Sequence, residues 1–203
     1  MSEATRRVVL ASGNAGKLRE LRTALAPLGL ELVSQAELGI GSPPEPAPTF
    51  VENALLKARH AALASGLPAI ADDSGLEVDA LAGAPGVRSA RYAGESAGDG
   101  ANIARLLAEL GDRPPAARGA RFHCVLVYLR HAQDPTPIIA SGQWSGQIAT
   151  KAAGEAGFGY DPVFLLPDRN CTAAQLPPAE KAAMSHRAIA VRALLEALAR
   201  QGA

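Results

Sequence analysis

The sequence predicts an α/β domain built on a mixed β-sheet. Three observations predict it. Short apolar runs of strand type alternate with segments of helical periodicity; one long apolar run, 120–130, is followed at once by a turn and another strand; and Gly and Pro gather between these segments rather than inside them. With 203 residues the chain is long enough for a sizeable core. No Ser/Gly-rich or charge-block linker divides it, so a single domain over 1–203 is expected.

Arg7 to Ala11 is aliphatic and β-branched and reads as a strand. It runs into Ser12-Gly13-Asn14, after which Leu18, Leu21, Leu25 and Leu28 recur at helical spacing up to Gly29. A second strand covers 30–34, and the prolines of 39–48 (GIGSPPEPAP) forbid helix and make a loop. Thr49 and Glu52 have the spacing of a capping box. They open a helix with Phe50, Ala54, Ala58 and Ala61 on one face and Asn53 and Lys57 on another. A strand over 69–71 delivers Asp72 and Asp73 at its end, a Gly/Pro-rich loop fills 82–98, and a helix is expected over Asp99 to Leu110. The run 120–130 is apolar on both alternating faces, as for a strand in a covered sheet. Asp134-Pro135-Thr136-Pro137 turns it towards a strand at 138–144, giving a hairpin. A loop over 152–162 precedes a strand at 163–167, and one Ala/Leu-rich helix over 179–200 closes the chain.

Lys plus Arg equals Asp plus Glu at 20 each, so no overall basic field favours a nucleic-acid polymer or an anionic membrane. Any anion site must be local. The first residues contain arginines but no apolar core of signal-peptide length, and nowhere do about 18 apolar residues run together; a cytoplasmic protein is expected. Cys124 and Cys171 lack CxxC spacing and suggest neither a disulfide framework nor a zinc site.

Five stretches carry candidate chemistry. Ser12, Gly13, Asn14, Ala15, Gly16 and Lys17 bring small residues and backbone amides to a strand-to-helix junction, which suits a phosphate, or is simply a tight turn with a solvated lysine. A Walker A loop is disfavoured by Ala11 and Leu18. Glu45 and Lys57 offer a loop carboxylate and a helical lysine, or a wet surface. Adjacent carboxylates, Asp72 and Asp73, repel unless something cationic holds them, so they suggest a divalent cation and a water to be activated; an Asx turn capping Gly75 or Leu76 is the alternative. The loop Phe158-Gly159-Tyr160-Asp161 can stack and hydrogen-bond a base, or its aromatics can fill the core. Lys181, Ser185, His186 and Arg187 form a run of donors in an Ala/Leu-rich segment, or a solvated helical face.

Taken in order, SGNAGK, TFVENALLKA, ADDSGL, GAPGVRSARYAG, GFGYDPVF and EKAAMSHR closely resemble the inosine/xanthosine triphosphate pyrophosphatases, from about Val8 into the last helix. That resemblance implies Mg²⁺-dependent hydrolysis of non-canonical purine nucleoside triphosphates (dITP, ITP, XTP) to a monophosphate and pyrophosphate. It also implies an elongated mixed sheet with flanking helices, two lobes around a nucleotide-binding cleft, and a homodimer. By similarity Asp73 is the general base and a metal ligand, with Asp72 and Glu45 supporting the metal. Lys17, the amides of residues 12–16, and Lys57 hold the triphosphate, with Ser74 near it. Phe158 to Asp161, Lys181, His186 and Arg187 form the base and ribose pocket, where donors such as His186 and Arg187 meet the purine 6-carbonyl. A related pyrophosphatase acting on a pyrimidine or methylated nucleotide and a non-catalytic nucleotide binder are the rival readings.

Overall fold

Alternation along β1 (Arg7–Ala11) sets the architecture of the first half of the chain. Val8 and Leu10 point to one face and Val9 and Ala11 to the other, and all four are buried, so both faces must be covered. A computed structural model of the chain describes residues 7–200; residues 1–6 and 201–203, the ends of the domain expected over 1–203 and the start of the stretch read for a signal peptide, lie outside the described residues.

β1 pairs in parallel with β2 (Glu31–Ser34) on one side and β3 (Ala69–Val78) on the other. The remaining strands are β4 (Gly119–Leu129), β5 (Ile138–Ile148), β6 (Phe164–Leu166) and β7 (Cys171–Thr172). They complete a seven-stranded sheet in the order β2-β1-β3-β4-β5-β6-β7. β6 runs antiparallel to β5 and to β7, so the sheet is mixed, as its pattern predicts. The turn between β4 and β5 is tied by Asp134, whose buried carboxylate accepts from the Arg130 amide at 3.0 Å, from Arg130 Nε at 2.9 Å and from the Thr136 amide at 3.0 Å.

The helices are α1 (Ala15–Leu25), α2 (Phe50–Ser65), α3 (Asp99–Leu110), α4 (Pro178–Met184) and α5 (His186–Arg200). Asn14 caps α1 by accepting from the Lys17 amide at 3.0 Å, and Thr49 caps α2 by accepting from the Glu52 amide at 3.3 Å. Among the described residues no helix is long and apolar enough to cross a membrane.

Three expectations change. β3 does not stop at residue 71 but continues to Val78, straight through Asp72, Asp73, Ser74 and Gly75. The Asx turn therefore does not form, and the Leu76 amide donates instead to Ser89 Oγ at 2.8 Å. β5 extends to Ile148, and its Gly146 is required by packing, since a Cβ there would lie 2.6 Å from the Leu165 carbonyl. The single closing helix is two, parted at Ser185, which has an extended ψ of 159°. Serine is a residue type favoured just before a helix, and no Gly or Pro marks the break.

Two compact units result. One comprises the described residues up to Asp73, Cys124–Gly142 and those from Arg187 onward; the other comprises Ser74–His123 and Gln143–His186. In the first, strand parity sorts the core into two layers. Val8, Leu10, Ile70, Cys124, Leu126 and Tyr128 pack with α1 and α5, while Val9, Ala11, Ala69, Ala71, Val127 and Leu129 pack with the alanine face of α2. The second unit holds one core of Leu76, Val78, Phe122, Trp144 and Phe164 under Leu106 and Leu110 of α3.

Candidate active site

Because β3 is extended through both aspartates, Asp72 and Asp73 project to opposite faces of the sheet. Asp72 shares the parity of Ile70 and the α1/α5 layer, and Asp73 that of Ala71 and the α2 layer. Each then meets its own cation, and this relieves the repulsion that their adjacency implies.

On the α1/α5 face Asp72 is fully engaged. Its Oδ1 accepts from Lys17 Nζ at 2.7 Å, and its Oδ2 accepts from Arg187 Nε at 2.8 Å and from the Cys124 thiol at 3.2 Å. Arg187 also donates to Glu20 of α1. Burial would raise the Asp72 carboxyl, but Arg187 and Lys17 outweigh it and hold it well below the usual carboxylate range. Burial pushes the Cys124 thiol well up, so it stays protonated and donates. Arg187, grouped by sequence with the base pocket, is the second residue of α5 and lies with Asp72 and Glu20 on this face.

On the α2 face Lys57 Nζ donates to Asp73 Oδ1 at 2.7 Å and lies 3.3 Å from Glu45 Oε1. Burial would depress Lys57, but Asp73 and Glu45 outweigh that and hold it above its ordinary value. Burial pushes Asp73 up against the pull of Lys57 and Lys17. Its second oxygen, Oδ2, is buried and has no hydrogen-bond partner among the described residues. An acceptor in that state calls for a cation or a water. Among the described residues no three His, Cys, Asp or Glu side chains are grouped to hold a metal unaided. One or two carboxylates completed by phosphates and waters suit Mg²⁺, and Asp73 with Glu45 fits that pattern. Asp72 does not, since its oxygens already serve Lys17, Arg187 and Cys124.

Beside Asp72 the junction of β1 and α1 is closed by short bonds: Ser12 Oγ accepts from the Asn14 amide at 3.2 Å, and Asn14 occupies the Lys17 amide. The Ala15 and Gly16 amides, in the first turn of α1, have no acceptor within the helix, and the positive end of its dipole lies there. Gly13 lies exposed just before the Asn14 cap.

The second unit gathers the other candidates. Asp161 is buried, and its Oδ2 accepts from the Phe158 amide at 2.9 Å and from Lys181 Nζ at 2.6 Å. Lys181 also stands 5.1 Å from the centre of the half-buried Phe158 ring. Gly157 makes this possible, because at φ 81° a Cβ would meet Asp161 Oδ2 at 2.0 Å. Gly159 donates its amide to Asp99 Oδ2 at 2.6 Å. Tyr160 is a core residue whose hydroxyl donates to the Ser89 carbonyl at 2.9 Å, so the core-filling alternative holds for it and not for Phe158. His186 stacks on Phe122 with centroids 4.7 Å apart and planes at 13°. Ser74 follows Asp73 on β3 and is half-buried, and Ser185 is buried at the α4 boundary.

From the sequence alone no site role attaches to Glu20, Asn53, Asp99, Phe122 or Cys124. Asp99 alone had a readable signal, an acid opening a helix. The others are helix and strand residues of ordinary type whose roles depend on what the fold sets opposite them.

The Ham1 family model matches residues 8–197. A dITP/XTP pyrophosphatase of Salmonella paratyphi A is 60% identical over 192 residues, 95% of this chain and 98% of that protein. The solved structure of a HAM1 protein from Coxiella burnetii has a TM-score of 0.89 at 45% identity, covering 97% of this chain and 100% of that one. The Staphylococcus aureus Ham1 protein gives 0.84 at 40% identity, covering 98% and 100%.

Proposed function

The chain belongs to the Ham1 family, and from that membership and the two residue clusters we propose that it is a Mg²⁺-dependent nucleoside triphosphate pyrophosphatase. Its substrates are dITP, ITP and XTP, cut between the α- and β-phosphates to a monophosphate and pyrophosphate, which removes non-canonical purines from the nucleotide pool. The observation that carries this reading is the buried Asp73 carboxylate, with one oxygen on Lys57 and the other unpartnered among the described residues, beside Glu45.

Lys17, the Ala15 and Gly16 amides and Lys57 bind the triphosphate and neutralise its charge. Asp73 accepts the proton of the attacking water. A carboxylate held above its ordinary range by burial is a better base near neutral pH than an exposed one. Asp73 and Glu45 hold Mg²⁺, which when bound acidifies water and offsets charge on the phosphates. Asp72 fixes the Lys17 ammonium from the opposite face and leaves the metal to the other two acids. Phe158 stacks on the base, while Lys181, His186 and the loop amides offer donors to its carbonyls; Asp161 orders the loop that presents them. Adenine and guanine amino groups would face those donors unpaired.

Both units belong to one enzyme domain in this reading, since the Ham1 match over residues 8–197 includes residues of each. By resemblance the enzyme is a homodimer, and its setting is cytoplasmic, with which a nucleotide substrate and two free cysteines agree.

Product analysis with Mg²⁺ and ITP, dITP, XTP, GTP, ATP or dTTP, beside Asp73→Asn, tests it. Pyrophosphate from the first three is expected, with a rate loss of about 10²–10⁴-fold in the variant. Orthophosphate as product, turnover of dTTP alone, or an undiminished variant would overturn it.

A further inference from the structure

The loop that carries Glu45 cannot tie itself. Within 42–48 four residues are proline (Pro43, Pro44, Pro46, Pro48), so only Ser42, Glu45 and Ala47 keep a backbone N–H. Such a segment has to be held by groups outside it. Gln35 Nε2 donates to Ser42 Oγ at 2.6 Å, and His60 Nε2 lies 2.9 Å from the Gly41 carbonyl, both at the loop's start. At its other end Asn53 takes Ala47 with both ends of its amide: Oδ1 accepts from the Ala47 N–H at 3.0 Å and Nδ2 donates to the Ala47 carbonyl at 3.0 Å.

Asn53 is fully buried on α2, one turn before Lys57. Residues four apart share a helix face. One face of α2 thus sets Lys57 against Asp73 and, through Asn53, pins the chain two residues beyond Glu45, whose carboxylate lies 3.3 Å from that same lysine. A buried side-chain amide bonded through both its oxygen and its nitrogen to one loop residue is a specific device, since an aliphatic residue would fill the space without fixing the loop.

We infer that Asn53 is a positioning residue that holds Glu45 in register with Lys57 and Asp73. This rests on the reading of Glu45 and Asp73 as the centre of hydrolysis, but the loop clamp can be measured apart from it. In Asn53→Ala the Ala47 amide, followed by NMR hydrogen exchange without ligand, should exchange at least about tenfold faster. With ITP, kcat/KM should fall about 10–100-fold and the Mg²⁺ concentration for half-maximal rate should rise, as for residues that orient ligating groups. Asn53→Asp, which can still accept from the Ala47 N–H but cannot donate to its carbonyl, should lie between the two and serves if the alanine variant folds poorly.

Dependence on Glu45 separates positioning from general support. In a Glu45→Gln background, Asn53→Ala should cost no more than about threefold, because the group it positions is already lost. The same loss in both backgrounds, an unchanged rate, or an Ala47 amide that stays protected would overturn the inference. A wild-type chain inactive on every triphosphate would instead refute the parent reading, and the Ala47 exchange would still decide whether Asn53 holds the loop.

Discussion

At the scale of single residues, burial has consequences only in combination with partners. Asp72 and Asp73 are neighbours in sequence and both buried, yet their carboxyls shift in opposite directions, because Asp72 meets two side-chain cations at hydrogen-bond distance and Asp73 meets one. Asp134 shows the same physics away from the site. Hydrogen bonds from Arg130 and Thr136 depress its carboxyl far below the usual range. A depressed folded-state pKa adds stability above the unfolded value, about 4, and that stability is lost as pH falls through the folded value. Asp134→Asn should therefore cost about 1–3 kcal/mol at pH 7, and the gap from wild type should narrow progressively below about pH 4. Urea unfolding at several pH values measures it; a gap independent of pH would contradict the assignment.

At the scale of elements, helices hold the loops that precede them. Asn53 of α2 and Asn102 of α3 both reach back to a foregoing loop; Asn102 accepts from the Ala93 amide at 2.7 Å and donates to the Ala90 carbonyl at 3.2 Å. The loop before β6 works differently, folding around the Asp161 carboxylate with a glycine where no Cβ fits. Gly157→Ala combines a positive φ with that clash, so Asp161 should lose the Phe158 amide and Lys181. The expected outcome is a rise in KM for ITP of about tenfold or more, with kcat less affected, since the loop binds and the acids react. A variant with unaltered KM would show that this loop does not meet the substrate.

For the molecule as a whole, polar groups as much as apolar ones hold the layers. In the second unit Arg118 is 2% exposed and donates to three carbonyls, those of Ile148 at 2.6 Å, Gly111 at 2.9 Å and Ala149 at 3.0 Å. These join the end of α3, the approach to β4 and the end of β5. Arg118→Ala leaves a void and three acceptors unpaired, at a cost of about 3 kcal/mol. For a chain of this length that lowers Tm by about 6–12 °C. Arg118→Met should recover little, because it refills the space without restoring a donor; full recovery in a thermal scan would mean that packing, not hydrogen bonding, holds the site.

By itself the sequence determined the types and order of the elements up to β6, because strand alternation, helical spacing, Thr49 with Glu52 and the proline loop are local signals; it left the two-residue β7 unread and gave α4 and α5 as one helix. It also carried the motif residues, which lie in turns, strands and helices readable from their neighbours. Only the tertiary structure decided that β3 runs through Asp72 and Asp73, and so that the two acids part to opposite faces, since whether a strand continues past polar residues depends on the strands that pair with it. It also decided that Arg187 joins Asp72, that the last helix breaks at Ser185, and that Asn53 holds the Glu45 loop. Arg187 and Asp72 are 115 residues apart, and only packed layers bring such side chains within about 3 Å; the break at Ser185 and the Asn53–Ala47 bonds are local, yet no Gly, Pro or spacing rule marks either.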